Sequence, residues 1–166
     1  MNWLYKTDTN NTVRFTLGEY KNAVAKTLIC VGINPSTATP NNLDPTLNKV
    51  KKIAVSHKYE NWVMINVYPQ RATDPNNLHS NCNTQLHSDN LNEIKDLLNT
   101  FKNSDILFAY GNLIDKRPYL QNCLNDILNI INSVGFAGQK LCIKRTIKGN
   151  PVHPLYQKPN SVFIPY

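Results

Sequence analysis

Three stretches of the chain, 27–33, 62–68 and 105–110, are almost unbroken in apolar character and rich in β-branched or aromatic side chains. Continuous runs of this kind suit strands buried on both faces of a sheet. A fourth stretch, 140–147, alternates: Leu141, Ile143 and Thr146 or Ile147 interleave with Lys144 and Arg145. That pattern predicts an edge strand with one wet face.

Between these runs the apolar positions take helical spacing. Asp44-Pro45 offers an N-cap followed by proline at the first helical position. Leu47, Val50, Ile53 and Ala54 then share one face. A second helix is predicted from about Ser88, with Leu91, Ile94, Leu97, Leu98 and Phe101 inward. A third is predicted over 118–134, with Leu120, Cys123, Leu124, Ile127, Leu128 and Ile131 on one side and Gly135 as its stop.

Strands alternating with helices imply an α/β fold with a parallel sheet and helices on both faces, because right-handed crossovers leave few other arrangements. Thr12 to Leu17 is expected to add a strand or hairpin, and the Pro-rich tail, 150–166, to pack as an extended segment. Asn-Asn pairs at 10–11, 41–42 and 76–77 read as turns. With no repeat and no linker, residues 1–166 are read as one domain.

Composition narrows the class. Apolar residues make up 41% and charged residues only 17%, which excludes a charged disordered chain and a coiled coil. No apolar run approaches the roughly 18 residues of a membrane span. Met1 to Tyr20 carries no signal-like apolar core. A cytoplasmic, soluble monomer with no membrane partner is expected. Cys30, Cys82, Cys123 and Cys142 form no C-x-x-C pair and read as small core residues. No metal and no cofactor is expected.

The net charge is +7 and sits in the last third, where seven basic residues from Lys116 to Lys158 face Asp126 alone. A basic segment on a neutral body points to nucleic acid or nucleotide as partner, although solubility accounts for it equally well.

In a parallel sheet, ligands bind beyond the carboxyl ends of the strands. Four loops there carry unusual sequences. Gly32-Ile33-Asn34-Pro35-Ser36-Thr37-Ala38 holds an amide at the mouth of the sheet, with Ser36 nearby. It lacks the Gly-rich dinucleotide pattern and the P-loop lysine. Asn66-Val67-Tyr68-Pro69-Gln70-Arg71-Ala72-Thr73-Asp74-Pro75 offers Asn66 as donor and acceptor to a base edge, and Tyr68 as a stacking surface. Arg71 and Asp74 serve the ligand or simply pair with each other. Tyr110-Gly111-Asn112 lets the backbone approach closely. In Asn150-Pro151-Val152-His153-Pro154, two X-Pro bonds restrain His153, the side chain best suited to proton chemistry near neutral pH. His57, His79 and His87 have no comparable setting.

Across most of its length the chain resembles the domain-of-unknown-function family 1643. The resemblance rests on the first two loops just quoted, Asp44-Pro45-Thr46, and His153-Pro154-Leu155-Tyr156. More distantly, four short motifs resemble the uracil-DNA glycosylase superfamily. Gly32-Ile33-Asn34-Pro35 is similar to its first motif, whose Asn positions the attacking water. Asn66 falls where several glycosylases place an Asn that reads the base, and Tyr110-Gly111-Asn112 resembles a small strand-end motif. His153-Pro154 resembles the last motif, whose His bonds the base carbonyl. Asn150-Pro151 also matches that motif, and Leu155-Tyr156 replaces its usual Ser-Pro.

The resemblance implies a three-layer α/β/α sandwich around a four-stranded, mainly parallel sheet. It also implies hydrolysis of the N-glycosidic bond of a modified or damaged base in DNA, or of a nucleoside or nucleotide. Asn34 and His153 would be catalytic. Asn66, Tyr68, Ser36, Gly111 and Asn112 would contact the base, with Arg71, Asp74 and Asn150 as accessories. Lys144, Arg145 and Lys148 would hold phosphate. Asn34 stands where the most active branch has Asp, so slow turnover is expected. The alternative is a non-catalytic nucleic-acid or nucleotide binder on the same fold.

Overall fold

Seven strands and three helices follow one another along the chain in the computed structural model, which describes residues 1–166. β1 (Asn2–Thr7) and β2 (Arg14–Tyr20) form an antiparallel hairpin. β3 (Thr27–Gly32), α1 (Pro45–Ser56), β4 (Asn61–Asn66), α2 (Thr84–Thr100), β5 (Ser104–Phe108), α3 (Pro118–Ser133) and β6 (Lys140–Cys142) then alternate. β7 (Ile164–Pro165) closes the series.

The sheet order is β1-β2-β4-β3-β5-β6-β7. The four strands β4, β3, β5 and β6 pair in parallel, and the outer strands pair antiparallel. The architecture is therefore α/β with a mixed seven-stranded sheet rather than a four-stranded one. The added strands cover edges that a bare parallel sheet would expose.

Side chains alternate across a strand, and each face has its own helices. Ile29, Val31, Val63, Ile65, Ile106 and Phe108 join one core with α2 and α3, through Ile94, Leu97, Leu120 and Ile127. Leu28, Cys30, Trp62, Met64 and Leu107 join a second core with Leu47, Val50, Ile53 and Ala54 of α1. Two cores fed from one strand explain the unbroken apolar runs. On the α1 side, Trp62 Nε1–H donates to Glu19 Oε2 at 3.0 Å, and Lys51 Nζ lies 2.7 Å from the same carboxylate oxygen. One buried acid thus joins β2, β4 and α1.

The helix starts follow cap chemistry. Asp44 Oδ1 accepts from Leu47 N at 2.8 Å, with Pro45 at the first helical position. α2 begins at Thr84 and not near Ser88, because Asn83 Oδ1 accepts from Leu86 N at 3.0 Å. α3 gives way to Gly135 at φ 64°. Asn11 and Asn41 both take positive φ in turns.

The expected fourth strand differs most. β6 ends at Cys142 and is covered by β7, so it is not an edge. Beyond it the chain bonds to itself: Val152 N donates to Lys144 O, and Thr146 N to Asn150 O. Lys144, Arg145 and Lys148 therefore lie on a projecting turn and not on a strand. All four cysteines are free, with Cys82 Sγ 3.9 Å from Cys123 Sγ. No helix is long and apolar enough to cross a membrane.

Candidate functional site

A cleft of about 150 Å³ opens at the carboxyl ends of β3 and β4. Asn34 and Ser36 line it from the loop after β3, Asp44 from the start of α1, Asn66 from the end of β4, and His153 from the C-terminal segment. Arg14, the first residue of β2, also lines it.

Asn66 is only 1% exposed, yet neither its Oδ1 nor its Nδ2 has a hydrogen-bond partner. A buried amide with both ends unsatisfied is costly and asks for a partner carrying a donor beside an acceptor. Asn90 of α2 holds Asn66 from behind, its Nδ2 donating to Asn66 O at 3.0 Å. Gly32 makes room in front: a Cβ there would stand 2.4 Å from Met64 Cε and 3.1 Å from Asn66 Oδ1.

Asn34 is fixed by its donor end. Its Nδ2 donates to Ala72 O at 2.8 Å and Pro35 O at 3.1 Å, and its Oδ1 has no protein partner. Arg71 ties the same loop down, donating to Ser36 O, Ala38 O and the Tyr5 hydroxyl. Ser36 Oγ lies 3.1 Å from Thr73 Oγ1.

His153 caps the short 3-10 turn Pro154–Tyr156, its Nδ1 accepting from Leu155 N at 3.4 Å. That bond places the ring proton of neutral imidazole on Nε2. Gly111, at φ 65°, passes beneath it; a Cβ there would lie 3.5 Å from His153 Cβ. Burial lowers the His153 pKa from its ordinary 6.5, and the nearby Asp44 carboxylate works against that shift. As pH falls below the ordinary value, the unfolded chain takes up this proton before the folded one, and stability is lost. Urea midpoints of the wild type should therefore fall relative to His153→Gln as pH drops below 6.5. Parallel profiles for the two proteins would contradict this.

Asp44 spends one oxygen on its helix cap, and the other makes no hydrogen bond within the protein. Its charge acts on both Arg14 and His153. The cleft therefore assembles a carboxylate, an imidazole, two amides and a guanidinium. No group of three His, Cys, Asp or Glu side chains is arranged to hold a metal ion.

Residues 14–155 match the family described as "Protein of unknown function (DUF1643)". The chain belongs to the DUF1643 family. No curated protein and no solved structure matches it.

Of the residues singled out in this DUF1643 protein by sequence, Asn34, Ser36, Asn66 and His153 meet in the cleft. Tyr68 does not. It is fully buried in the α2–α3 core, where its hydroxyl lies 2.7 Å from His79 Nδ1 and accepts from Asn83 N. Arg71 and Asp74 form no ion pair; Asp74 caps the 3-10 turn Pro75–Asn77. Asn112 Oδ1 accepts from Thr146 Oγ1 at 2.8 Å and Asn150 Nδ2 at 3.0 Å, bracing the projecting turn. On that turn Lys148 pairs with Asp115 at 2.9 Å, Arg145 bonds Gly149 O, and Lys144 is exposed.

Sequence reasoning missed Arg14 as a cleft residue and read Asp44 only as a cap. A cap uses one carboxylate oxygen, and the other was the available signal. Arg14 offered no comparable signal, since it stands in a segment that also carries Thr12, Thr16 and Glu19.

Proposed function

We propose that this protein hydrolyses the N-glycosidic bond of a nucleobase, in DNA or in a nucleotide, on a uracil-DNA glycosylase-like α/β/α frame. The observation that carries the reading is the buried Asn66 amide with both ends free. A pyrimidine's amide-like edge supplies the donor and acceptor it lacks.

The other cleft residues suit the remaining steps. As the C1′–N bond breaks, negative charge grows on the base and positive charge on the sugar. His153 Nε2–H donates to the base oxygen, where a preorganised donor favours the transition state. The Asn34 Oδ1 orients water, and the free oxygen of Asp44 takes the water's proton as its oxygen bonds C1′. The base departs as an anion held by the His153 hydrogen bond and takes a proton from solvent, Asp44 returns its proton to solvent, and the sugar keeps the hydroxyl. Asp44 thus supplies the carboxylate that the Asn34 position lacks.

Mass-spectrometric screening of modified DNA and nucleotides for released base tests the proposal. Wild type should release base from at least one substrate, and Asn66→Ala should lower the rate by about tenfold to a hundredfold. No release from any substrate by well-folded, stoichiometric enzyme would defeat it. Salt-sensitive binding without release would instead favour the non-catalytic reading, for which the exposed Lys144 turn is the supporting feature.

A further inference from the structure

Arg14 is the only buried cation of the fold, at 1% exposure, and no carboxylate lies within ion-pairing distance of it. Its Nη1 donates to Ala38 O at 3.2 Å, while Nε is buried with no partner. Nη2 makes no hydrogen bond within the protein, and Arg14 lines the cleft. A second guanidinium, Arg71, stands close enough to repel it, and the Asp44 carboxylate and Tyr5 work against that repulsion. A buried, unpaired charge is unfavourable unless something completes it.

We infer that Arg14 is a receptor for an oxyanion carried by the ligand, a carboxylate or a phosphate monoester at the ligand's end. A guanidinium fork matches the planar or tetrahedral oxygens of such groups. The cleft's volume of about 150 Å³ is that of cavities that accept a single six-membered ring. A phosphodiester inside a polymer has sugars on both sides and does not reach a residue so enclosed. The ligand class is therefore an acid-bearing pyrimidine-sized ring or a mononucleotide. Its ring placement rests on the Asn66 reading given above; the oxyanion site does not.

Isothermal titration of matched pairs tests the site: orotate against uracil, uridine 5′-monophosphate against uridine, with inorganic phosphate as competitor. In at least one pair the acid should bind wild type about tenfold or more tightly than its neutral partner. Arg14→Gln should erase that advantage, and Arg14→Lys should retain part of it. An advantage confined to orotate places the oxyanion on the ring, and one confined to the monophosphate places it on the ester. The inference fails if neither acid outbinds its partner on wild type, a comparison that needs no variant. It also fails if the advantage survives in Arg14→Gln or, should that variant not fold, is undiminished in Arg14→Lys. Arg14-dependent binding without base release would defeat the hydrolase reading alone. Base release without an acid advantage would defeat this inference alone.

Discussion

Replacing Asp44 with Asn is expected to lower the rate of base release by about a hundredfold or more, within the range typical of a lost general base. The variant isolates charge from structure. Asn caps a helix about as well as Asp, so its Oδ1 can keep the bond from Leu47 N and α1 should start where it does now. What disappears is the negative charge and the unbonded carboxylate oxygen of a residue that lines the cleft. Arg14 and His153 lose their nearest acidic influence at the same time. The check is a single-turnover rate on the best substrate, paired with a thermal midpoint close to that of wild type. A variant that turns over normally would remove Asp44 from the chemistry.

Trp62→Ala should have the largest effect on the fold. Trp62 is 2% exposed and sits in the α1-side core. Truncating a buried aromatic of this size costs about 3–5 kcal/mol. Its loss also takes a donor from Glu19, a buried acid with 8% exposure held otherwise by Lys51. Since ordinary domains are stable by only about 5–15 kcal/mol, much of the margin would go. Urea denaturation should show a sharply lower midpoint for Trp62→Ala and a smaller fall for Trp62→Phe, which keeps a ring but not the N–H. Similar midpoints for all three proteins would contradict the packing described.

The central strands were legible because both their faces are buried, so Thr27–Gly32, Asn61–Asn66 and Ser104–Phe108 stand out as apolar runs. α1 and α3 were legible from their prolines and periodicity. β1 was not, since its residues are only partly covered and its stability comes from the backbone ladder to β2. β7 has two residues, too few for any pattern. β6 was overextended because Lys144 and Arg145 mimic a wet strand face while their backbone turns away. At the site, Asn34 and Asn66 could be found because each closes or follows a strand, and His153 because prolines restrain the chain around it. Arg14 could not, because its burial depends on Ala38 and Pro69 folding over it from distant parts of the chain.

Arg71 reaches Ser36 O, Ala38 O and the Tyr5 hydroxyl at once, and Asn34 is bonded to Ala72 O. The loop that forms one wall of the cleft has therefore already given up its conformational freedom when the chain folds. Little entropy remains to be lost when a ligand arrives, so affinity rests on the contacts themselves. Loosening this wall from behind, as Arg71→Ala would, weakens binding through entropy without removing any group that faces the ligand.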